Sequence, residues 1–194
     1  MLGAVRIVIP LRSFDDPKTR LREVLSSAER RELCRTLADG VLAAVSGGDV
    51  VVVTDDAEVD RWARSRGAAV VAPGSPGLNV AVTAARHDAR TEGVGHVVIL
   101  PADLARPAAA ASLVAAALAD ATLDALLVPD RHHDGTNLLL VPTAGEFTFA
   151  YGPGSCDLHR AEATRVGLRL QVLDHEDLGW DIDDPADLEW FLRQ

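Results

Sequence analysis

Apolar, β-branched runs alternate along the chain with longer stretches of helical period. Val5–Pro10, "VRIVIP", reads as a first strand; in "SSAERRELCRTLADGVLAAV", Ser26 and Glu29 form a capping box before a helix with Leu33, Leu37, Val41 and Val45 on one face. "DVVVVT" (residues 49–54) predicts a second strand, and "AEVDRWARSRG" a short helix ending at Gly67. "AAVVA" predicts a third strand, and a helix runs from about Leu78 to Arg90. "HVVIL" is a fourth strand, and Pro107 opens an Ala-rich helix after it. "DALLVP" and "NLLLVP" predict two more strands around the loop "DRHHDGT". "CDLHRAEATRVG" is a helix and "LRLQVL" a strand, and "DIDDPADLEWFLRQ" closes with a short strand and a helix. Strands alternating with helices imply an α/β fold, with a mainly parallel, mixed sheet covered by helices on both faces. No repeat or linker-like tract interrupts the pattern, so residues 1–194 are expected to form one domain.

Composition narrows the partners. The formal net charge is −10, which argues against broad binding to nucleic acid or anionic membrane. No apolar run approaches the roughly 20 residues that span a bilayer, and no export signal is visible, so the cytoplasm is the default expectation. Cys34 and Cys156 lack metal-ligand or redox spacing, and Cys34 falls in a helical pattern that places it in the core. Reduced thiols agree with that compartment.

In open α/β sheets, ligands bind beyond the carboxyl ends of the strands, and there the sequence is chemically unusual. "PLRSFDDPKTRLR" follows the first strand and is long for a βα connection, with Arg12, Lys18, Arg20 and Arg22 in an acidic protein. Lys18 is the only lysine among 19 Lys and Arg residues, and a compact point charge suits a phosphate oxygen. No Walker A or G-x-G-x-x-G pattern is present. Thr54, Asp55 and Asp56 end the second strand; Asp56 suits a helix cap, while a carboxylate here could also meet a ribose or base. In "GSPGLNVAV", Gly74, Gly77 and Asn79 make either a capped turn, with Asn79 as N-cap, or a backbone slot for a nucleobase. "LPADL" places Asp103 at the tip of a core strand. In "WDIDDP", Asp184 suits an N-cap before Pro185, which leaves Asp181 and Asp183 projecting to one side and Ile182 to the other. Asp103, Asp181 and Asp183 together form the hard oxygen set that Mg²⁺ prefers beside phosphates. "GPGSCDLH" sets Gly152 and Ser155 at a helix start, where Ser155 can cap the helix and backbone N–H groups can bind an anion. Thr136 and Asn137 open a strand within reach of a small acid, or form a turn pair. His132, His133 and His159 read as surface residues rather than metal ligands.

Taken together, "PLRSFDDPKTRL", "VTDD", "GLNVAV", "LPADL", "PDRHHDGTNLLL", "YGPGSCDLHRAEA" and "DIDDPADL" resemble the nucleotidyltransferases of coenzyme F-420 biosynthesis. These are the 2-phospho-L-lactate and phosphoenolpyruvate guanylyltransferases. The resemblance covers nearly the whole chain, and "GPGS" followed by "H", ahead of "DID-P-DL", is its most specific part. It implies a Rossmann-like domain of the nucleotide-diphospho-sugar transferase kind, similar to molybdopterin guanylyltransferases. It implies Mg²⁺ on Asp103, Asp181 and Asp183, and a phosphorylated acid gripped by Thr136 or Asn137 with Gly152 and Ser155. Lys18, with Arg20, would contact the triphosphate of GTP, and the Gly77–Asn79 turn would approach guanine. Arg12 stands where the family pattern has Lys, which keeps the charge but changes the hydrogen-bond geometry. A homodimer is a family-based expectation.

The implied chemistry is attack by the acid's phosphate on the α-phosphorus of GTP, with Lys18 and Asp103 carrying the catalytic roles. The Ala- and Arg-rich composition points to a GC-rich genome and tilts the acceptor toward phosphoenolpyruvate, then 2-phospho-L-lactate. The rival readings are transfer to a sugar phosphate, molybdopterin or 3-phospho-D-glycerate, and a non-catalytic nucleotide-binding module.

Overall fold

The computed structural model describes residues 5–15 and 18–193. Strands β1 (Val5–Pro10), β2 (Asp49–Val53), β3 (Ala69–Val71), β4 (His96–Ile99), β5 (Ala125–Pro129), β6 (Thr136–Pro142) and β7 (Leu170–Val172) form one sheet in the order β3-β2-β1-β4-β6-β5-β7. β6 runs antiparallel to both β4 and β5, and every other neighbouring pair is parallel. A reversed strand begins where its parallel neighbours end. The first residues of β6, Thr136 and Asn137, therefore lie on the same side of the sheet as the carboxyl ends of β1, β4 and β5.

Both faces of the sheet are covered, as the continuous apolar strands require. On one face β1, β4, β5 and β6 contribute Ile7, Ile9, Val98, Leu126 and Leu138 to a core shared with helices α1 (Ser27–Ala44), α2 (Ala57–Ser65) and α4 (Ala110–Ala119). On the other face, Val8, Val97, Ile99, Leu127 and Leu139 pack with α3 (Leu78–Thr91) and α5 (Ser155–Arg165). Alternate residues of one strand thus feed opposite cores, the period-2 geometry of a strand. A third, small cluster of Leu21, Leu37, Ile182 and Leu188 joins a 3-10 turn (Thr19–Leu21) to α1 and to the last helix, α6 (Pro185–Leu192).

Local signals in the sequence account for the helix starts. Ser26 and Glu29 make the expected capping box on α1, and Leu37, Val41 and Val45 are buried on the expected face. The Asp56 carboxylate accepts from the Glu58 and Val59 N–H groups and caps α2. Asp184 caps α6 in a capping box with Asp187, with Pro185 at the first turn.

Four local expectations are corrected. Gly77, at φ 117°, caps α3 in place of Asn79, and Gly154 caps α5 in place of Ser155. The segment at Asp181 makes a single antiparallel bridge to Leu104 instead of a strand, because its neighbours turn directly into the α6 cap. Pro107 opens a 3-10 turn (Pro107–Ala109), and α4 follows at Ala110.

Candidate active site

A cavity of about 790 Å³ opens at the carboxyl ends of β1, β2 and β4, walled by Arg12, Lys18, Asp55, Gly77, Asp103, Tyr151 and Asp183 among others. Its position is the one the topology of an open α/β sheet selects.

Asp103 and Asp183 meet in the cavity wall, and Asp181 lies close to both without lining the cavity. The chain leaving β4 runs antiparallel to residues 180–182: Ala105 N–H donates to Trp180 O at 2.8 Å and Ile182 N–H to Asp103 O at 3.2 Å. Ile182 is fully buried in the third cluster, so Asp181 and Asp183 point the other way. Lys18 donates its ammonium to Asp103 Oδ2 at 3.0 Å and to Asp183 Oδ1 at 3.3 Å. Its side chain is only 6% exposed, and its backbone sits in the left-handed region at φ 52°. That conformation costs a non-glycine residue about 1 kcal/mol or more, which the two ion pairs offset. Burial opposes the charge on Lys18, but Asp103 and Asp183 outweigh it and hold the ammonium above the usual lysine range.

Asp181 is the least comfortable member. Burial, then the charges of Asp103 and Asp183, push its carboxyl up to about 6, and a hydrogen bond from Asn137 Nδ2 at 3.2 Å offsets this only in part. The Lys18 ammonium answers Asp103 and Asp183, while Asp181 is held by Asn137. Cys34 also lines the cavity beside Lys18, and burial pushes its thiol up to about 11, so it remains an unreactive core thiol.

Thr136 and Asn137 are neighbours on β6 and therefore face opposite ways. Asn137 Nδ2 reaches Asp181 and the Leu178 carbonyl. Thr136 instead joins a buried chain. The Ala150 N–H donates to His159 Nε2 at 3.0 Å, so the neutral imidazole carries its proton on Nδ1 and donates it to Thr136 Oγ1 at 3.0 Å. Ser155 Oγ donates to the same oxygen at 3.2 Å. His159 is 0% exposed, which corrects its reading as a surface residue; His132 and His133 are exposed as expected. Phe147, Phe149 and Tyr151 surround the imidazole, and burial drives it down to about 4. The signal for this burial was the aromatic alternation of "FTFAY" ahead of "GPGSCDLH". Gly152 and Gly154, at φ 131° and 73°, make the tight turn into α5 that only glycine enters without strain.

The remaining candidates divide. Arg12, Asp55 and Gly77 line the cavity. Arg20 is exposed in the 3-10 turn and does not line the cavity. Asn79 is committed elsewhere: its Oδ1 accepts from the Tyr151 N–H at 2.7 Å and its Nδ2 donates to the Tyr151 carbonyl at 3.1 Å. It ties α3 to the glycine turn. Among the described residues, no group of three or more His, Cys, Asp or Glu side chains is arranged to hold a metal ion as it stands.

The family described as Guanylyl transferase CofC like matches residues 5–193. The chain belongs to that family. Relatives agree with the assignment. The chain is 35% identical to a phosphoenolpyruvate guanylyltransferase of Rubrobacter xylanophilus over 95% of its own length and 92% of that protein. It is 37% identical to a 2-phospho-L-lactate guanylyltransferase of Haloterrigena turkmenica, covering 95% of the chain and 82% of that protein. The fold is that of a putative nucleotide-diphospho-sugar transferase from Desulfovibrio desulfuricans G20, at TM-score 0.82 and 20% identity over 98% of this chain and 87% of that one. Among the described residues of this guanylyl transferase family member, no helix is long and apolar enough to cross a membrane.

Proposed function

We propose that the protein transfers the guanylyl group of GTP to a small phosphorylated acid, phosphoenolpyruvate first and 2-phospho-L-lactate second, in the coenzyme F-420 route. The meeting of Asp103 and Asp183 on Lys18 in the cavity wall, with Asp181 close behind them, carries the reading. A phosphate oxygen of the acid attacks the α-phosphorus of GTP, the bond from that phosphorus to the bridging oxygen breaks, and pyrophosphate leaves. The nucleophile is already an anion at neutral pH, so no strong general base is needed. The barrier lies in bringing anions together, and positioning with charge stabilisation meets it.

Mg²⁺ suits the donor chemistry of this site, since Lys18 pairs with Asp103 and Asp183 while Asp181, close to both, is pushed up to about 6. Asp103, Asp181 and Asp183 would hold the ion, which when bound neutralises and aligns phosphate oxygens. Lys18, between Asp103 and Asp183, would give its ammonium to the triphosphate. Arg12, Asp55 and Gly77, which line the cavity, are assigned to the nucleotide, with the backbone at Gly77 toward its base. The glycine turn at 152–154 and the polar start of β6 are assigned to the acid; Thr136 and Ser155 are buried behind the cavity wall and would shape that side through their hydrogen bonds with each other and His159. Cytoplasmic location accords with this chemistry.

The test is pyrophosphate release from GTP with phosphoenolpyruvate, 2-phospho-L-lactate or 3-phospho-D-glycerate, with and without Mg²⁺, followed by mass spectrometry of the product. A GMP-linked diphosphate formed only with metal is expected. No release with any of the three acids would overturn the proposal.

A further inference from the structure

The carboxylates of the proposed metal site must be held before they can bind, and α6 carries a device beyond what helix capping needs. Asp187 is 4% exposed, and both its oxygens are engaged. Oδ2 accepts from the Asp184 N–H at 2.9 Å, which completes the capping box, and from the Asp183 N–H at 3.0 Å, which the box does not require. Oδ1 accepts from Arg131 Nε at 3.0 Å and Nη2 at 2.5 Å. The Arg131 guanidinium lies 4.6 Å over the Trp180 ring, and its backbone N–H donates to the Gly179 carbonyl at 2.8 Å. Trp180 stacks on Trp190 of α6 with centroids 3.8 Å apart and planes 1° from parallel. The segment that bears Asp181 and Asp183 is therefore gripped at both ends, at Trp180 by stacking and at Asp183 through its own peptide nitrogen. Arg131 links the two grips.

We infer that Arg131 and Asp187 are positioning residues, holding the backbone at Asp183 so that its carboxylate meets Asp103 and the bound cation. Neither residue lines the cavity, so both act through Asp183. Arg131→Met removes the fork that fixes Asp187, leaving a buried carboxylate unpaired and free to turn away from the Asp183 N–H. Partners of ligating carboxylates typically control affinity by about 10- to 100-fold when removed. The inference rests on the metal reading above.

The experiment measures Mn²⁺ affinity by electron paramagnetic resonance, on protein kept well below its melting temperature. The unsubstituted chain, Arg131→Met, Asp187→Asn and Val141→Ala are compared. Val141 is buried near the end of β6 remote from the site, so its truncation destabilises the fold without touching α6 or these hydrogen bonds. Arg131→Met and Asp187→Asn are expected to weaken Mn²⁺ binding at least about tenfold, and Val141→Ala to leave it within about twofold. Should Asp187→Asn fail to fold, Arg131→Met decides. Unchanged affinity in Arg131→Met, or an equal loss in Val141→Ala, overturns the positioning role while the metal reading stands. No Mn²⁺ binding by the unsubstituted chain overturns both.

Discussion

Lowering the pH should unlatch the glycine turn through His159, and the effect can be worked from its surroundings. The imidazole accepts from the Ala150 N–H and donates to Thr136, so in its neutral form both nitrogens are satisfied. Protonation would turn Nε2 from acceptor to donor and set it against the Ala150 N–H, inside a shell of Phe147, Phe149 and Tyr151. Burial holds the folded pKa near 4 against 6.5 for an unburied imidazole, and Glu162 restores only part of the difference. The sign follows from proton counting. Between those two values the unfolded chain takes up a proton that the folded chain refuses, so stability is full above about 6.5 and is lost as pH falls through 4. The whole loss is about 3 kcal/mol, of which about 2 kcal/mol falls between pH 7 and pH 5.

Asp181 acts in the opposite direction in the same window. Its folded carboxyl is raised to about 6, so protonation there favours the folded chain as pH falls. The raw stability curve therefore mixes two signs, and a difference is needed. His159→Gln keeps an acceptor and a donor but cannot titrate. Urea unfolding of both chains at pH 7.0, 6.0 and 5.0 measures the gap between them. The window stays above the range in which Glu162, drawn down to about 2, loses its contribution. The unsubstituted chain should lose about 2 kcal/mol relative to His159→Gln over that range. A gap that is flat, or that moves the other way, refutes the buried, neutral imidazole.

Asp103→Asn should lower guanylyl transfer by at least about 100-fold in the pyrophosphate assay while the melting temperature shifts only a few degrees, because this side chain is 33% exposed. Asn79→Ala removes both bonds to the Tyr151 peptide and should cost about 2 kcal/mol in urea unfolding. Gly154→Ala meets no neighbour within 4 Å, so only its φ of 73° is strained; about 1 kcal/mol of stability and a raised KM for the acid are expected. Chelation with EDTA should abolish turnover, with recovery on added Mg²⁺.

The alternation of apolar runs and helical periods determined the element order, the α/β class and the cover on both faces, since burial on two sides demands continuous apolar strands. Capping at Ser26, Asp56 and Asp184 was legible for the same reason: a cap is a contact between residues two or three positions apart. The facing of Asp181 and Asp183 followed from strand period alone, once Ile182 was assigned inward. Contacts across long separations were not legible. The reversal of β6 placed Thr136 and Asn137 beside strand ends far from them in the chain, and one face carried Thr136 to His159 while the other carried Asn137 to Asp181. Asn79 found its partner 72 residues away at Tyr151, and Arg131 found Asp187 56 residues away. Side-chain type and spacing record what a residue can do within its own turn or strand. Which partner it meets across the molecule is decided only when the sheet closes and its ends come together.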